Sequence, residues 1–428
     1  MSEWIDRKIG EVINFNPREV IKAGTVAKKI AMEKLGIFTK KINGFEYTTV
    51  QNGPKFKNGD VLVAKITPCL ENGKTAKVDI LEEDEVAFGS TEFIVLRENE
   101  FSINDFIYYL AISPIFRKKA ISCMEGTSGR KRVNEKALKE QVIPFPDIST
   151  QQKIASVLSA LDAKIELNNR INAELEAMAK TIYDYWFVQF DFPFDFAQGK
   201  PDKQEFAELS RSKPYKTNGG KMVYNKELKR EIPEGWEVKK IEDFAITSSG
   251  GTPLSTKKEY YEKGNIPWIN SGELNNPFIV NTSNFITEEG LNNSSAKMFP
   301  KNTILIALYG ATAGKTSKIE FSACTNQAIC GIITKNKNID NFLYFGLNDL
   351  YKHLIILSTG SARDNLSQDI VRNLKFAIPN QNILEKFNEI INPSFEKIIN
   401  NLKENQQLSA LRDWLLPMLM NGQVTVKN

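Results

Sequence analysis

Histidine and cysteine are scarce in this chain of 428 residues, which contains one histidine and four cysteines. The cysteines form no Cys-x-x-Cys pair, and His353 is the only imidazole, so the sequence offers no zinc-binding set. We therefore expect no bound metal, and reduced thiols in the cytoplasm. One histidine also leaves little room for a Ser-His-Asp or Cys-His arrangement, which favours a binding protein with no catalytic residues over an enzyme.

Long apolar runs are also absent, since none approaches the roughly 20 residues that span a bilayer. The first ten residues, MSEWIDRKIG, are charged and lack the apolar centre of a signal peptide. We expect a cytoplasmic protein with no membrane partner. The net charge is only +4, from 56 basic and 52 acidic residues, so it neither requires nor excludes nucleic acid, and local clustering decides.

Residues 148–187 predict one long helix without glycine or proline. Ser149 and Gln152 have the spacing of a capping box at its start. Its apolar positions recur every three or four residues, as in a coiled coil, with two polar residues in the middle of the seam. The seam residues are Ile154, Leu158, Leu161, Ile165, Asn168, Asn172 and Leu175. A rod of very roughly 55–60 Å cannot bury this seam alone and needs a partner.

The partner is predicted within the same chain, because the sequence is duplicated. Trp4 matches Trp236 at an offset of 232 residues, and Gly-Lys-Thr at 73–75 matches 314–316 at 241. From residue 128 onward the offset stays at 233. At that offset the first seam matches Ile398, Asn401, Asn405 and Leu408 in a second predicted helix over 383–420. Pro393 predicts a kink or break in that helix, and pseudo-twofold pairing predicts that all four asparagines meet.

The predicted fold class is mixed α and β (α/β or α+β), with two tandem globular domains separated by two long antiparallel coiled-coil helices. The expected boundaries are 1–146 for the first domain, 147–190 for the first helix, 191–234 for a loop-rich connector, 235–380 for the second domain and 381–428 for the second helix. Strands are expected over 60–66, 85–96, 303–308 and 323–334, and helices over 104–122 and 341–357. The offset changes inside the globular parts, which indicates one framework with two different sets of loops.

Basic residues cluster near the end of the first domain, in a pattern suited to phosphate contacts, and polar loop residues nearby are suited to base edges. The candidate DNA-binding residues are Lys65, Lys74, Lys77, Ser90, Thr91, Arg130, Lys131, Arg132, Tyr309, Lys315, Lys318, Asn326, Gln327 and Arg363. A structural role is equally consistent with Arg130 and Arg363, which would then tie a turn to the helix below. Surface lysines are also often only solvated.

Several motifs together cover nearly the whole chain. Val-Ile-Pro-Phe-Pro at 142–146 runs into Gln-Gln-Lys-Ile at 151–154, Gly-Gly-Thr-Pro lies at 250–253, and Leu-Leu-Pro-Met-Leu-Met-Asn-Gly closes the second helix at 415–422. On these motifs the chain resembles the specificity subunit of a type I DNA restriction–modification system.

The resemblance implies two target recognition domains that read the two halves of a split, asymmetric site in double-stranded DNA. It implies helices that set the spacer and dock two modification subunits, which methylate adenine with S-adenosylmethionine. It also implies restriction subunits that use ATP and Mg²⁺, and no cofactor on this chain. Two alternatives remain at this point. One is a coiled-coil scaffold that binds only proteins, and the other is a nucleotide-binding enzyme using Gly314-Lys315-Thr316, although Tyr309 stands where a phosphate loop needs glycine.

Overall fold

A computed structural model describes residues 4–22, 24–127, 129–193, 213–351, 354 and 366–426. Arg363, His353 and residues 194–212 of the expected connector lie outside the described residues. The chain forms two compact units, which we call unit 1 (Met1–Asn168 with Glu404–Asn428) and unit 2 (Asn169–Lys403). Their boundaries fall inside the two long helices, so each long helix contributes residues to both units.

The first long helix spans Ile148–Tyr183 and continues as a π-helical turn over Asp184–Val188. The second long helix spans Gln381–Met420 without interruption, so of the kink or break predicted at Pro393 the break does not occur. Proline has no backbone N–H, so Pro393 cannot donate the usual helical hydrogen bond to the carbonyl of Glu389. Both residues lie on the exposed face of the helix. Water can satisfy that carbonyl there, which lets the helix continue.

Unit 1 contains two four-stranded sheets. The first has the order Asn14–Phe15, Phe93–Arg97, Val61–Ala64, Thr75–Lys77, and the second the order Glu46–Thr49, Val26–Ile30, Ala87–Gly89, Lys55–Phe56. Two further strand pairs join Ile5–Lys8 to Val142–Phe145 and Met124–Glu125 to Arg132–Val133. Its short α-helices among the described residues are Ile9–Val12, Asn104–Ile112, Pro114–Ser122 and Glu135–Lys139.

Unit 2 contains a five-stranded sheet and a three-stranded sheet. The first has the order Ala245–Ser249, Ile329–Thr334, Ile304–Ala307, Thr316–Ile319, Phe278–Ile279, and the second the order Phe285–Ile286, Ile266–Ile269, Cys324–Thr325. Two strand pairs join Glu237–Lys240 to Lys375–Ile378 and Met222–Asn225 to Arg230–Pro233. The described short α-helices are Ile241–Phe244, Glu288–Asn292, Asp340–Asp349 and Gln368–Arg372.

The two units repeat one topology. In the first sheet of unit 1, the strands lie side by side in the order first, fourth, second, third of their occurrence in the sequence. The first four strands of the five-stranded sheet in unit 2 lie in the same order. The strands that follow the matched tryptophans, Trp4 and Trp236, each pair antiparallel with the strand that leads into a long helix. The structure therefore supplies the strand order that the sequence pattern could not.

Three predicted elements are each divided in two. The segment over 104–122 forms two helices, because Pro114 starts the second one and the Ser113 hydroxyl accepts its N-cap hydrogen bond from Phe116. The segments over 85–96 and 323–334 are each interrupted by a loop, at residues 90–92 and 326–328. These interruptions put the candidate residues Ser90, Thr91, Asn326 and Gln327 on loops, where polar side chains can face a ligand.

Candidate nucleic-acid interface

The residues predicted for helix pairing occur in both units, and several are part of a core. In unit 1, Ile154 and Leu158 of the first long helix are buried in the same cluster as Leu419 of the second. In unit 2, Leu175 packs against a cluster that contains Ile398. The more accessible seam positions are Leu161, Ile165, Asn172, Asn405 and Leu408.

Two pairs of seam asparagines make hydrogen bonds between the long helices. In unit 1 the Asn168 Nδ2 donates to Asn405 Oδ1 at 2.9 Å and to Glu404 Oε2 at 2.8 Å. In unit 2 the Asn401 Nδ2 donates to Asn172 Oδ1 at 2.8 Å. Asn401 and Asn405 correspond to Asn168 and Asn172 at the repeat offset of 233 residues. The two hydrogen-bonded pairs are therefore equivalent contacts in the two repeats.

Arg412 of the second long helix makes the most buried charged contact between the long helices among the described residues. Its Nη1 lies 2.8 Å from Asp162 Oδ1, and the Tyr109 hydroxyl donates to Asp162 Oδ2 at 2.7 Å. Arg412 and Asp162 expose only 10% and 12% of their side chains. Because 162 faces 412 whereas 168 faces 405, the helices run antiparallel within unit 1. The sequence signal was the carboxylate of Asp162 beside Leu161, the seam position that lies opposite Arg412 when Asn168 pairs with Asn405.

Four of the six basic candidates of the first domain lie beside the loop at residues 90–92, in a group that we call the unit 1 loop cluster: Lys65, residues 90–92 and residues 130–132. Arg132 joins these loops, because its guanidinium donates three hydrogen bonds of 2.8–3.0 Å to the Glu92 carboxylate. Those hydrogen bonds lower the pKa of Glu92. Lys65 pairs with Glu135 at 3.1 Å, and its backbone bonds both Glu92 and Val133.

Arg130 and Lys131 are the cations of the unit 1 loop cluster that point outward. Both are exposed, and neither makes an ion pair with the described residues. They lie in the turn between two short paired strands, Met124–Glu125 and Arg132–Val133. Lys74 and Lys77 have other partners, since Lys74 donates to the Met32 carbonyl and Lys77 pairs with Asp105.

In unit 2 a group of neutral polar side chains lies at related loops, and we call it the unit 2 loop cluster: residues 250–252, Asn270, Asn326 and Gln327. Thr252 donates to the Gln327 side chain, and Asn326 Nδ2 lies 3.3 Å from Asn270 Oδ1. A Cβ on Gly251 would lie 2.3 Å from the Ser295 backbone, so only glycine fits there. Thr252 and Asn270 were missed as candidates, although the Gly-Gly-Thr-Pro motif marked this loop.

Two candidates of the second domain have different surroundings. Lys318 is buried in a strand and donates to Asn341 Oδ1 at 2.9 Å, so it cannot reach a phosphate and its prediction as a contact was wrong. Burial also lowers the pKa of Lys318. Lys315 donates to Asn275 Oδ1 at 2.8 Å, and Tyr309 is half-buried against the core.

The two Gly-Lys-Thr sequences are turns between antiparallel strands. Thr75–Lys77 pairs with Val61–Ala64, and Thr316–Ile319 pairs with Ile304–Ala307. A phosphate loop needs a helix after Gly-Lys-Thr, and a strand follows here in both units. The arrangement excludes the nucleotide-binding alternative. Within the described ranges, no group of three His, Cys, Asp or Glu residues is placed to hold a metal ion, and no helix is long and apolar enough to cross a membrane.

The duplicated architecture agrees with comparisons against known proteins. The type I restriction modification DNA specificity domain matches this chain twice, over residues 1–177 and 233–410. The chain belongs to this family. The two matches are displaced by 232 residues at their starts and 233 at their ends, which is the repeat found in the sequence.

Similar proteins cover from about three quarters to nearly all of this specificity subunit. The HindI specificity subunit of Haemophilus influenzae is 28% identical over 99% of this chain and 100% of its own length. The MjaIX specificity subunit of Methanocaldococcus jannaschii is 31% identical over 76% of this chain and 70% of its own. The crystal structure of a type I S subunit from M. genitalium has the same fold, with a TM-score of 0.56, 18% identity and coverage of 98% and 96%. The expected family, its tandem mixed α and β domains and its non-catalytic role in DNA specificity are thereby confirmed.

Proposed function

We propose that each domain of this specificity subunit reads one half of a split, asymmetric site in double-stranded DNA. The observation that carries the proposal is that the two units share one strand order but have different side chains on their equivalent loops. The unit 1 loop cluster offers cations, whereas the unit 2 loop cluster offers amides and a hydroxyl. Two readers with different side chains suit two different half-sites, and the paired long helices suit a fixed spacer between them.

Within the unit 1 loop cluster, we propose that Arg130 and Lys131 contact phosphates and that Ser90 and Thr91 face base edges. In the unit 2 loop cluster, Asn326 and Gln327 are the proposed base readers, because side-chain amides match the donor and acceptor pattern of adenine. Lys315 and Tyr309 remain proposed backbone contacts of the second domain. Lys65 and Arg132 have a positioning role, since each is held by a carboxylate.

Replacing Arg130 and Lys131 with alanine is expected to weaken binding to all duplex sequences alike, by roughly tenfold at moderate salt. The slope of log affinity against log salt should become shallower by about one to two, because up to two phosphate contacts are lost. Fluorescence anisotropy with specific and random duplexes measures both. Lys216→Ala with Lys226→Ala removes two exposed lysines of unit 2 as the control. An unchanged slope in the Arg130 and Lys131 variant would remove the phosphate-contact assignment.

For the protein partners, we propose two modification subunits that methylate adenine with S-adenosylmethionine, and restriction subunits that use ATP and Mg²⁺. Met178 and Leu411 support two equivalent docking positions. They are 60% and 43% exposed, and they lie 233 residues apart, so they occupy the same place in the two repeats. Two identical modification subunits would then each bind one of these two equivalent apolar residues.

The asparagine pairs are proposed to fix the pairing of the long helices. Asn168 Oδ1 and Asn172 Nδ2 are buried without a hydrogen-bond partner among the described residues, so the seam loses stability there. We expect leucine at both positions of each pair, Asn168 with Asn405 and Asn172 with Asn401, to raise the melting temperature by a few degrees, from about 1 kcal/mol per pair, because no seam amide is then left without its partner. The same variant should tolerate altered spacers better. Scanning calorimetry and binding to duplexes with lengthened spacers test both effects, and strict spacing in a stabilised variant would refute the second.

A further inference from the structure

We propose that a polar network at an equivalent place in each unit positions the recognition domain on its long helix and so sharpens the spacer preference. This inference rests on the proposed function. In each unit the network joins a strand, a short helix and a long helix. The strand lysines are Lys77 and Lys318, at the offset of 241 that relates the two Gly-Lys-Thr turns.

In unit 2 the network is built mainly from amides and is buried. Lys318 Nζ donates to Asn341 Oδ1 at 2.9 Å, and Asn341 Nδ2 donates to Asn388 Oδ1 and Asn392 Oδ1, each at 2.9 Å. Asn388 in turn donates to the Asn338 carbonyl at 2.7 Å. Lys318, Asn341 and Asn388 expose 8%, 4% and 8% of their surface.

In unit 1 the corresponding network is ionic and more accessible. Lys77 Nζ and Lys40 Nζ lie 2.8 Å and 2.9 Å from Asp105 Oδ1, and Lys40 also donates to Ser159 of the first long helix at 3.2 Å. Asp105 corresponds to Asn341 at an offset of 236, and Ser159 to Asn392 at 233. The same three elements are therefore joined twice by different chemistry.

Both networks lie where a domain meets a long helix, and that location indicates their role. Apolar side chains pack well in several neighbouring arrangements, whereas hydrogen bonds need particular distances and angles. A buried lysine that meets an amide acceptor is poorly explained by stability alone, since apolar residues of similar size often replace such groups without loss. The networks are better explained as devices that hold one orientation of each domain on its helix.

The test compares duplexes that carry the natural site, mapped from methylated adenines, with its natural spacer or a spacer one base pair longer or shorter. We expect Lys318→Met with Asn341→Leu to reduce the preference for the natural spacer at least fivefold, with affinity for that spacer within about twofold. Asp105→Ala should reduce the spacer preference to the same extent through unit 1. Because Asp105 exposes 42% of its side chain, this variant tests the proposal if the buried unit 2 variant does not fold. Leu305→Ala is the control, because Leu305 is buried in a separate cluster of unit 2.

The outcomes separate the inference from the function on which it rests. A wild-type chain that binds all three spacers equally would contradict the proposed function. If both variants keep the spacer preference of the wild-type chain, the positioning role is overturned while the proposed function stands. An equal loss of affinity for all three spacers would show a merely structural role and would overturn it too. Loss of spacer preference in the Leu305 control would also overturn it, because the effect would then follow from destabilisation.

Discussion

Met178→Glu together with Leu411→Glu is expected to abolish adenine methylation by the assembled complex while leaving the specificity subunit folded. Each side chain lies exposed on a long helix, so a glutamate costs little in the free chain. In a packed interface the same change removes about 1.5–3 kcal/mol of apolar burial at each position and leaves a carboxylate without a partner. At each docking position, the lost apolar burial and the unpaired carboxylate together correspond to a reduction of affinity for one modification subunit of at least roughly 100-fold.

Methyl transfer to a duplex carrying the natural site and co-purification of the subunits measure this loss. Ala173→Glu with Gln406→Glu is the matched control, because these two residues are also 233 apart, also exposed, and lie on another face of the same helices. The single variants should each lose one of two subunits and give complexes of intermediate mass. A double variant that retains both subunits would show that docking occurs elsewhere.

Asp60→Ala is expected to lower the free energy of unfolding of unit 1 by about 3–5 kcal/mol, because it breaks a buried ion pair. Asp60 is fully buried and accepts from Arg97 Nε at 2.6 Å, from Arg97 Nη2 at 2.7 Å and from the Lys57 amide at 2.9 Å. The hydrogen bond to Asp60 is the main reason that the pKa of Arg97 is raised. Without the carboxylate, Arg97 keeps only Glu19 as an ion-pair partner among the described residues.

Urea unfolding followed by fluorescence measures the change in unfolding free energy. Glu100→Ala provides the control, because Glu100 is an exposed carboxylate in the turn that follows the strand of Arg97. Arg97→Met should be milder than Asp60→Ala if its apolar stem still packs, since long side chains also stabilise by their methylenes. An unfolding free energy for Asp60→Ala within 1 kcal/mol of the unchanged protein would mean that the buried pair is energetically neutral.

The long helices were predictable because their information is periodic. A seam that repeats every three or four residues over about six turns leaves few alternatives, and the offset of 233 identified the partner positions of Asn168 and Asn172 without coordinates. The unbroken course of the second helix through Pro393 was not predictable. It depends on which face of the helix is exposed, and that is decided by packing.

The candidate interface was predictable only in part. Thr91 and Gln327 were predicted as polar candidates inside strands expected to be continuous, and only the structure shows the interruptions that put them on loops. Lys318 was misassigned because a lysine next to a turn is ordinarily exposed, and only the sheet order shows that its strand is covered. The ion pair of Arg412 was likewise not predicted, since its partner Asp162 is 250 residues away in sequence.

The central claim, that each domain reads its own half-site, is tested most directly by exchanging one domain. Residues 235–379 are replaced by the corresponding segment of another specificity subunit with a mapped site, and methylated adenines are then mapped across a genome that expresses the hybrid complex. The account predicts that one half of the recognised sequence changes while the other half and the spacer stay the same. A change in both halves, or in neither, would contradict it.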